Sequence, residues 1–251
     1  MIEIGLQTFT IREIITPEKL NGTFAQIAGM GIENLELAVD YLPMPFTLDT
    51  AKTVSAAAKE NGLHIRSCQI KYPTSSKDIP LTIAYMQELG AQILTNSVID
   101  IKLLALGRPG LRRYCEKLER LKEHLAPAGI ALAHHNHHFE FKRVGGQSAL
   151  LFMAEHSSID FALDTYWTRR AGGDIIALLE ALKGRVPLMH LRDFAGKADC
   201  EIGRGDIPFK EVLSAAEQAG VMYGMIEQKT KTPIESVKFS LRALEDFAAI
   251  N

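Results

Sequence analysis

Cysteine is scarce in this chain of 251 residues, and its three copies, Cys68, Cys115 and Cys200, are odd in number and far apart. Neither a disulfide framework nor a CxxC redox or metal motif follows from that spacing. No apolar run approaches the ~20 residues a helix needs to cross a bilayer. Basic blocks are missing too: 28 Lys and Arg stand against 30 Asp and Glu, for a net charge of −2. Without a basic cluster or an aromatic-rich stripe, a nucleic-acid surface is not expected. The opening MIEIGLQTF has no basic leader and no cleavage site before its first strand pattern, so a cytosolic location is the expectation. The stretch after that strand, TFTIREII, lacks the GxGxxG of a dinucleotide site.

What is present is alternation. At 47% hydrophobic and 23% charged, the composition is that of an ordinary globular protein. Strand-like runs fall at 2–9, 34–39, 64–70, 92–98, 130–137, 160–167, 187–193 and 222–228. Helical patterns lie between them at 18–29, 47–61, 79–89, 109–127, 147–157, 173–183, 208–219 and 233–249. Gly31, Gly62, Gly90, Gly129, Gly184 and Gly220 each follow a helical stretch, where a left-handed residue ends a helix. Strict alternation admits an open doubly wound sheet or a closed barrel. A count of eight, and chemistry-bearing residues spread over four consecutive strand ends, favour the barrel. The expected fold class is therefore α/β, a single-domain (β/α)8 TIM barrel over 1–251, with no linker or low-complexity tract. Loops 71–78, 138–147 and 194–207 would lie on its catalytic face.

Four segments carry the chemistry: HHNHHFE at 134–140, ALDTYW at 162–167, MHLRD at 189–193 and MIEQ at 225–228. Each leaves an apolar strand for a metal-binding residue: His135 or His137, Asp164, His190 and Glu227. They recur about every 30 residues, the length of a strand–helix unit. Alternation places Ala131, Ala133, His135 and His137 on one face, Ala162, Asp164 and Tyr166 on another, His190 with Arg192, and Tyr223, Met225 with Glu227. One register thus turns every candidate ligand inward. Imidazole with carboxylate suits Mn²⁺, Co²⁺, Fe²⁺ or Zn²⁺ better than an all-oxygen Ca²⁺ site, and no cysteine suggests closed structural zinc. Such a metal could grip a sugar hydroxyl and carbonyl while Glu227, ligand and base together, takes a C–H proton.

With HHNHHFEF at 134–141, LDTYW and AGGD at 163–167 and 171–174, HLRD at 190–193, EIGRGDIPF at 201–209 and IEQ at 226–228, the chain resembles the sugar phosphate isomerase/epimerase superfamily of xylose isomerase-like TIM barrels. The resemblance spans essentially the whole chain and implies proton transfer on a keto or aldo sugar. It also implies one divalent metal, Mn²⁺ first and Mg²⁺, Co²⁺ or Zn²⁺ as alternatives, on Asp164, His190 and Glu227; the fourth ligand is taken as His135, with His137 the alternative from the fifth strand. Glu227 and His135 become the catalytic candidates, and His137, Trp167, Arg192 and Glu140 the substrate-binding ones. Many relatives have glutamate where this chain has His135, one of two opposed bases. Histidine there fits a one-base isomerisation or a β-elimination at least as well as epimerisation. Arg192 and Lys229 replace residues often lysine and acidic in relatives, which favours anionic or strongly polar substrate groups.

Blander readings accompany each residue. Asp164 could simply cap a helix, His190 alone could be a satisfied core histidine, and Trp167 plain core rather than a sugar platform. Glu36 could be a salt bridge inside the barrel. Glu227 in an apolar strand is harder to dismiss, because a buried carboxylate needs partners. The expected partner is a small sugar, with no nucleic acid and no membrane, and a homo-oligomer left open. A nucleic-acid enzyme on a related barrel would need a basic groove; a non-catalytic sugar binder would not need Asp164, His190 and Glu227 together.

Overall fold

The computed structural model describes residues 2–71, 78–196 and 198–249. Most of the 71–78 loop and position 197 therefore lie outside the described residues. Eight parallel strands close into a ring: β1 (Glu3–Gln7), β2 (Asn34–Ala38), β3 (His64–Ile70), β4 (Ile93–Asn96), β5 (Ala131–His135), β6 (Asp160–Asp164), β7 (Leu188–Leu191) and β8 (Tyr223–Ile226). Each pairs with its sequence neighbour, and β1 meets β8 with Glu3 opposite Tyr223 and Leu6 opposite Ile226.

The helices are α1 (Leu20–Ala28), α2 (Leu48–Glu60), α3 (Ile79–Leu89), α4 (Ile101–Ala105), α5 (Arg108–Leu125), α6 (Ala149–His156), α7 (Thr165–Arg170), α8 (Ile175–Ala181), α9 (Phe209–Ala219) and α10 (Pro233–Ala249). Among the described residues no helix is long and apolar enough to cross a membrane. All six glycines expected after helices have positive φ. At Gly220, φ of 86° lets Val221 N–H return to the Ala216 carbonyl at 3.0 Å, closing α9 just before β8 begins at Tyr223.

Strand alternation divides the apolar residues into two cores. Outward residues such as Leu35, Leu94, Leu132, Leu163 and Met189 join one large cluster with Phe24, Val54, Tyr85, Leu118 and Phe152 from the helices. Inward residues Ile93, Ala133, Ala162, Leu188 and Met225 form a separate plug inside the ring. One layer higher the interior turns polar, with Gln7, Glu36, Ser67, Thr95, His135, Asp164 and His190 all buried. A layered interior of this kind is a packed floor rather than a pore.

Two departures from the expected elements matter. Every strand is present, but β6 stops at Asp164 and α7 starts at Thr165, where continued strand to 167 was expected. Tyr166 and Trp167 therefore stand on a helical turn, and the shared strand face with Asp164 ends there. The cause is local: Asp164 is an N-cap, and a side-chain oxygen on an early amide favours helix over strand. The short α4 was likewise not expected; Asp100 caps it by accepting from Lys102 and Leu103 amides.

Candidate functional site

β5 ends on His135, β6 ends on Asp164, and β7 carries His190 inward. These three buried side chains each offer one ligand atom, all within 4.8 Å of one another. Glu227 follows β8 by one residue, and its Oε2 lies 2.9 Å from His190 Nδ1. Strand ends that converge only because the sheet closes have built the cluster.

The far side of His190 is held from across the ring. Its Nε2 makes a close contact with Glu36 Oε2, and Glu36 Oε1 accepts from Ser67 Oγ at 2.6 Å. A register shift between Leu35 and Glu36 sets Ser67 level with Glu36. Glu36 holds the Nε2 proton, so Nδ1, which faces the cluster beside Glu227, is the nitrogen that would give up its proton to ligate a metal, the usual arrangement behind a ligating histidine. Asp164 Oδ1 accepts from Trp167 N–H at 2.6 Å, leaving Oδ2 turned to the cluster.

The unpartnered atoms test whether these residues suit a metal. His135 Nδ1 and Asp164 Oδ2, with His137 Nδ1 nearby, are buried and make no hydrogen bond, while His190 Nδ1 and Glu227 Oε2 have only each other. Leaving so many buried polar atoms unsatisfied is costly unless one partner serves them together. Two imidazoles and two carboxylates are a donor set for a divalent transition ion. The residues fit.

Charge balance agrees. Burial raises Asp164 to about 7 despite the nearby Arg192 guanidinium. Burial would raise Glu227 as well, but Arg192 and His190 outweigh it and hold that carboxyl at about 2. Burial, reinforced by the positive charge of His190, drives His135 well below its ordinary value, so it stays a neutral donor. Burial lowers His137 to about 4. Arg192 is almost fully buried, donates to Glu227 Oε1 at 3.1 Å, lies 3.6 Å from Asp164 Oδ2 and grips Asp199 closely. One arginine among three carboxylates leaves the interior short of positive charge, a deficit that a divalent cation would fill.

Above the cluster opens a cavity of about 500 Å³. His135, Arg192 and Glu227 form its floor, and His137, Tyr166 and Trp167 part of its wall. That volume lies within the range of small-molecule sites.

The family model of the xylose isomerase-like TIM barrel matches residues 24–246. The chain belongs to that family. No curated protein matches the sequence at a significant level. Among solved structures, this xylose isomerase-like barrel is similar to a sugar phosphate isomerase/epimerase from Parabacteroides distasonis, at 21% identity and a TM-score of 0.78, covering 97% of this chain and 94% of that one. It is similar to an L-ribulose 3-epimerase at 16% identity and 0.73, covering 100% and 97%. The probable 3-DHS dehydratase involved in petrobactin synthesis from Bacillus anthracis matches at 12% and 0.73, covering 98% and 99%. At such identities the likeness is one of fold.

Within this xylose isomerase-like barrel, His135, His137, Trp167, Arg192 and Glu227 share one cavity, with Asp164 and His190 buried beneath it. Glu140 is the exception and does not line the cavity. It is fully buried, its Oε1 lies 3.0 Å from His134 Nε2, and its Oε2 accepts from His137 N–H at 2.9 Å. Both oxygens are committed to shaping the 136–141 turn, so Glu140 is not placed to touch substrate. His134 Nδ1 in turn lies 3.0 Å from the Asn96 amide, itself bonded to Tyr114 at 2.7 Å.

Three contributors went unassigned in the sequence. Glu36 orients His190; its only signal was a charge at an inward position of an apolar strand. Asp199 grips Arg192 from a hairpin, Asp193–Ala195 with Ala198–Cys200, that left no pattern of its own. Asp193 accepts from the amides of Phe194, Gly203, Gly205 and Ile207 at 2.8–3.2 Å, so the 201–207 loop wraps one carboxylate. Gly205 is required there, because a Cβ would fall 2.2 Å from Asp193 Oδ1.

Proposed function

We propose that the chain is a divalent-metal-dependent isomerase or epimerase acting on a keto sugar or sugar derivative, by removing a proton next to a carbonyl. The observation that carries this reading is the convergence of His135, Asp164 and His190 beneath the cavity, with Glu227 beside His190 and the facing atoms of His135 and Asp164 unpartnered. A divalent ion, Mn²⁺ in the first instance, would supply Lewis-acid polarisation of the carbonyl and so acidify the neighbouring C–H. Glu227 is kept ionised by Arg192 and His190, and its carboxylate faces the cavity where that proton would be received. A carboxylate so weakly basic works only on an acidified carbon, which is why base and metal ligand belong together. Arg192, donating from beneath the cavity, can neutralise charge that develops on the substrate oxygen. Trp167 and Tyr166 offer flat faces for sugar C–H surfaces.

His135 is a neutral donor rather than a second carboxylate, which favours a single base. That argues for isomerisation, or for β-elimination of water from a keto sugar or keto-polyol as the second reading. A panel of keto sugars incubated with Mn²⁺-loaded protein in D₂O tests both. Label should enter at the carbon beside the carbonyl, and loss of hydroxyl would mark the lyase. No exchange with any member of the panel, with metal bound, would overturn the proposal. Label delivered to both faces of that carbon would establish two bases and epimerisation.

A further inference from the structure

The mouth of the cavity carries more positive charge than the cluster below can use. Lys71, Arg170 and Lys229 line it, all three exposed, in a chain whose net charge is −2. Among the described residues no carboxylate lies within ion-pair distance of any of them. The two acidic residues that line the same cavity, Asp199 and Glu227, are both taken by Arg192. These rim cations are thus left over after every acid in the cavity has been paired.

Arg170 is also pre-positioned. Its Nη1 donates to the Tyr166 hydroxyl at 2.7 Å, and its guanidinium carbon lies 5.4 Å from the centre of the Trp167 ring. Arg192 packs on the same pair of rings, 4.7 Å from the centre of Tyr166. The two aromatic rings therefore run from the buried guanidinium over the metal cluster to the exposed one at the rim. A cation in the last turn of α7 also suits the helix dipole. Yet Arg169 occupies that turn as well and lines a different cavity beside Gly172 and Asp174. The dipole explains a cation in this turn, not its orientation toward the mouth. A planar fork held by a hydroxyl and two rings loses little freedom when it binds a carboxylate or phosphate.

We infer that Arg170 and Lys229, with Lys71 beside them, form an anion subsite that takes a terminal carboxylate or phosphate of the substrate, with the reacting carbons lying along Tyr166 and Trp167. This deepens the proposed function by naming the substrate class, an acidic sugar or sugar phosphate, and it rests on that reading for the location of the reacting end.

Calorimetric titration of the Mn²⁺-loaded protein with D-ribonate, D-ribose 5-phosphate and neutral ribitol tests the inference. At least one anion should bind more tightly than ribitol by roughly three- to tenfold, the scale of exposed ion pairs. Added salt should erode the preference. The double variant Arg170→Gln with Lys229→Gln should bind all three probes alike while keeping its Mn²⁺ and its far-UV spectrum, and Lys52→Gln, away from the mouth, should change nothing. Tighter binding of ribonate or of the phosphate identifies which anion the rim was built for. Equal affinity for anions and ribitol, no detectable binding of any probe at millimolar concentration, or a preference that survives in the double variant would each overturn it. Deuterium exchange separates the two readings: bound anions without exchange fail the proposed chemistry alone, and exchange without charge preference fails the subsite alone.

Discussion

The Asp164 carboxylate is shared between the His135–His190 cluster and Trp167: Oδ1 accepts the Trp167 amide at 2.6 Å, and Oδ2 is left without a hydrogen bond. Cap and proposed ligand are the same side chain, so the aromatic wall of the cavity is registered directly to its floor. Asp164→Ala removes both functions, whereas Asp164→Asn keeps a good cap and loses the charge. Both variants should lose stoichiometric Mn²⁺. Only the alanine variant should also lose about 1 kcal/mol from the missing cap. Trp167 is the chain's one tryptophan, so its emission reports α7 without labelling. A red shift in Asp164→Ala and none in Asp164→Asn is expected. Equal shifts, or full metal occupancy in either variant, would contradict the dual role.

Glu36→Gln should weaken Mn²⁺ binding by roughly 10–100-fold, the usual cost of losing a carboxylate behind a ligating histidine. Paramagnetic resonance titration of free Mn²⁺ reads this directly. Unchanged affinity would mean that packing alone orients His190.

Glu227→Gln keeps size and one oxygen but removes the proton acceptor. Turnover should fall by roughly 10²–10⁴-fold, with Mn²⁺ affinity reduced far less. A parallel loss of both would assign Glu227 to metal binding alone.

Glu140→Ala leaves His134 and the His137 amide without their acceptor in a fully buried setting. Removing one partner of such a pair should lower unfolding free energy by about 3 kcal/mol, read by urea titration. KM of the folded fraction should change little. A large KM effect without loss of stability would return Glu140 to the substrate.

The strand count, the ring closure and the inward register were readable because each depends on short-range patterns: apolar runs, alternation and the glycine after each helix. The convergence of His135, Asp164 and His190 was readable for the same reason, since each sits at or near the end of such a run. What the sequence hid depends on contacts across the ring or on competition between local structures. Alternation through ALDTYW suggested a strand to 167, but the Asp164 cap turned the chain into α7 at Thr165. Glu140 looked like a cavity residue because it follows the histidine cluster, yet its partners, His134 and the His137 amide, fold it back into the turn. Asp199 and Arg192 meet through a small hairpin whose pairing no periodicity announces.

The contact between Glu36 and His190 joins β2 to β7, strands that are not neighbours, across 154 residues of sequence. All four proposed ligands lie in the second half of the chain, between His135 and Glu227, but the side chain that turns one of them into position comes from the first. Cation affinity would therefore measure ring closure, and a bound ion would act as a latch on the fold. At a concentration 100 times its dissociation constant it would add about 2.7 kcal/mol to the stability of the closed ring. A half-barrel could contain every ligand and still hold His190 at the wrong angle.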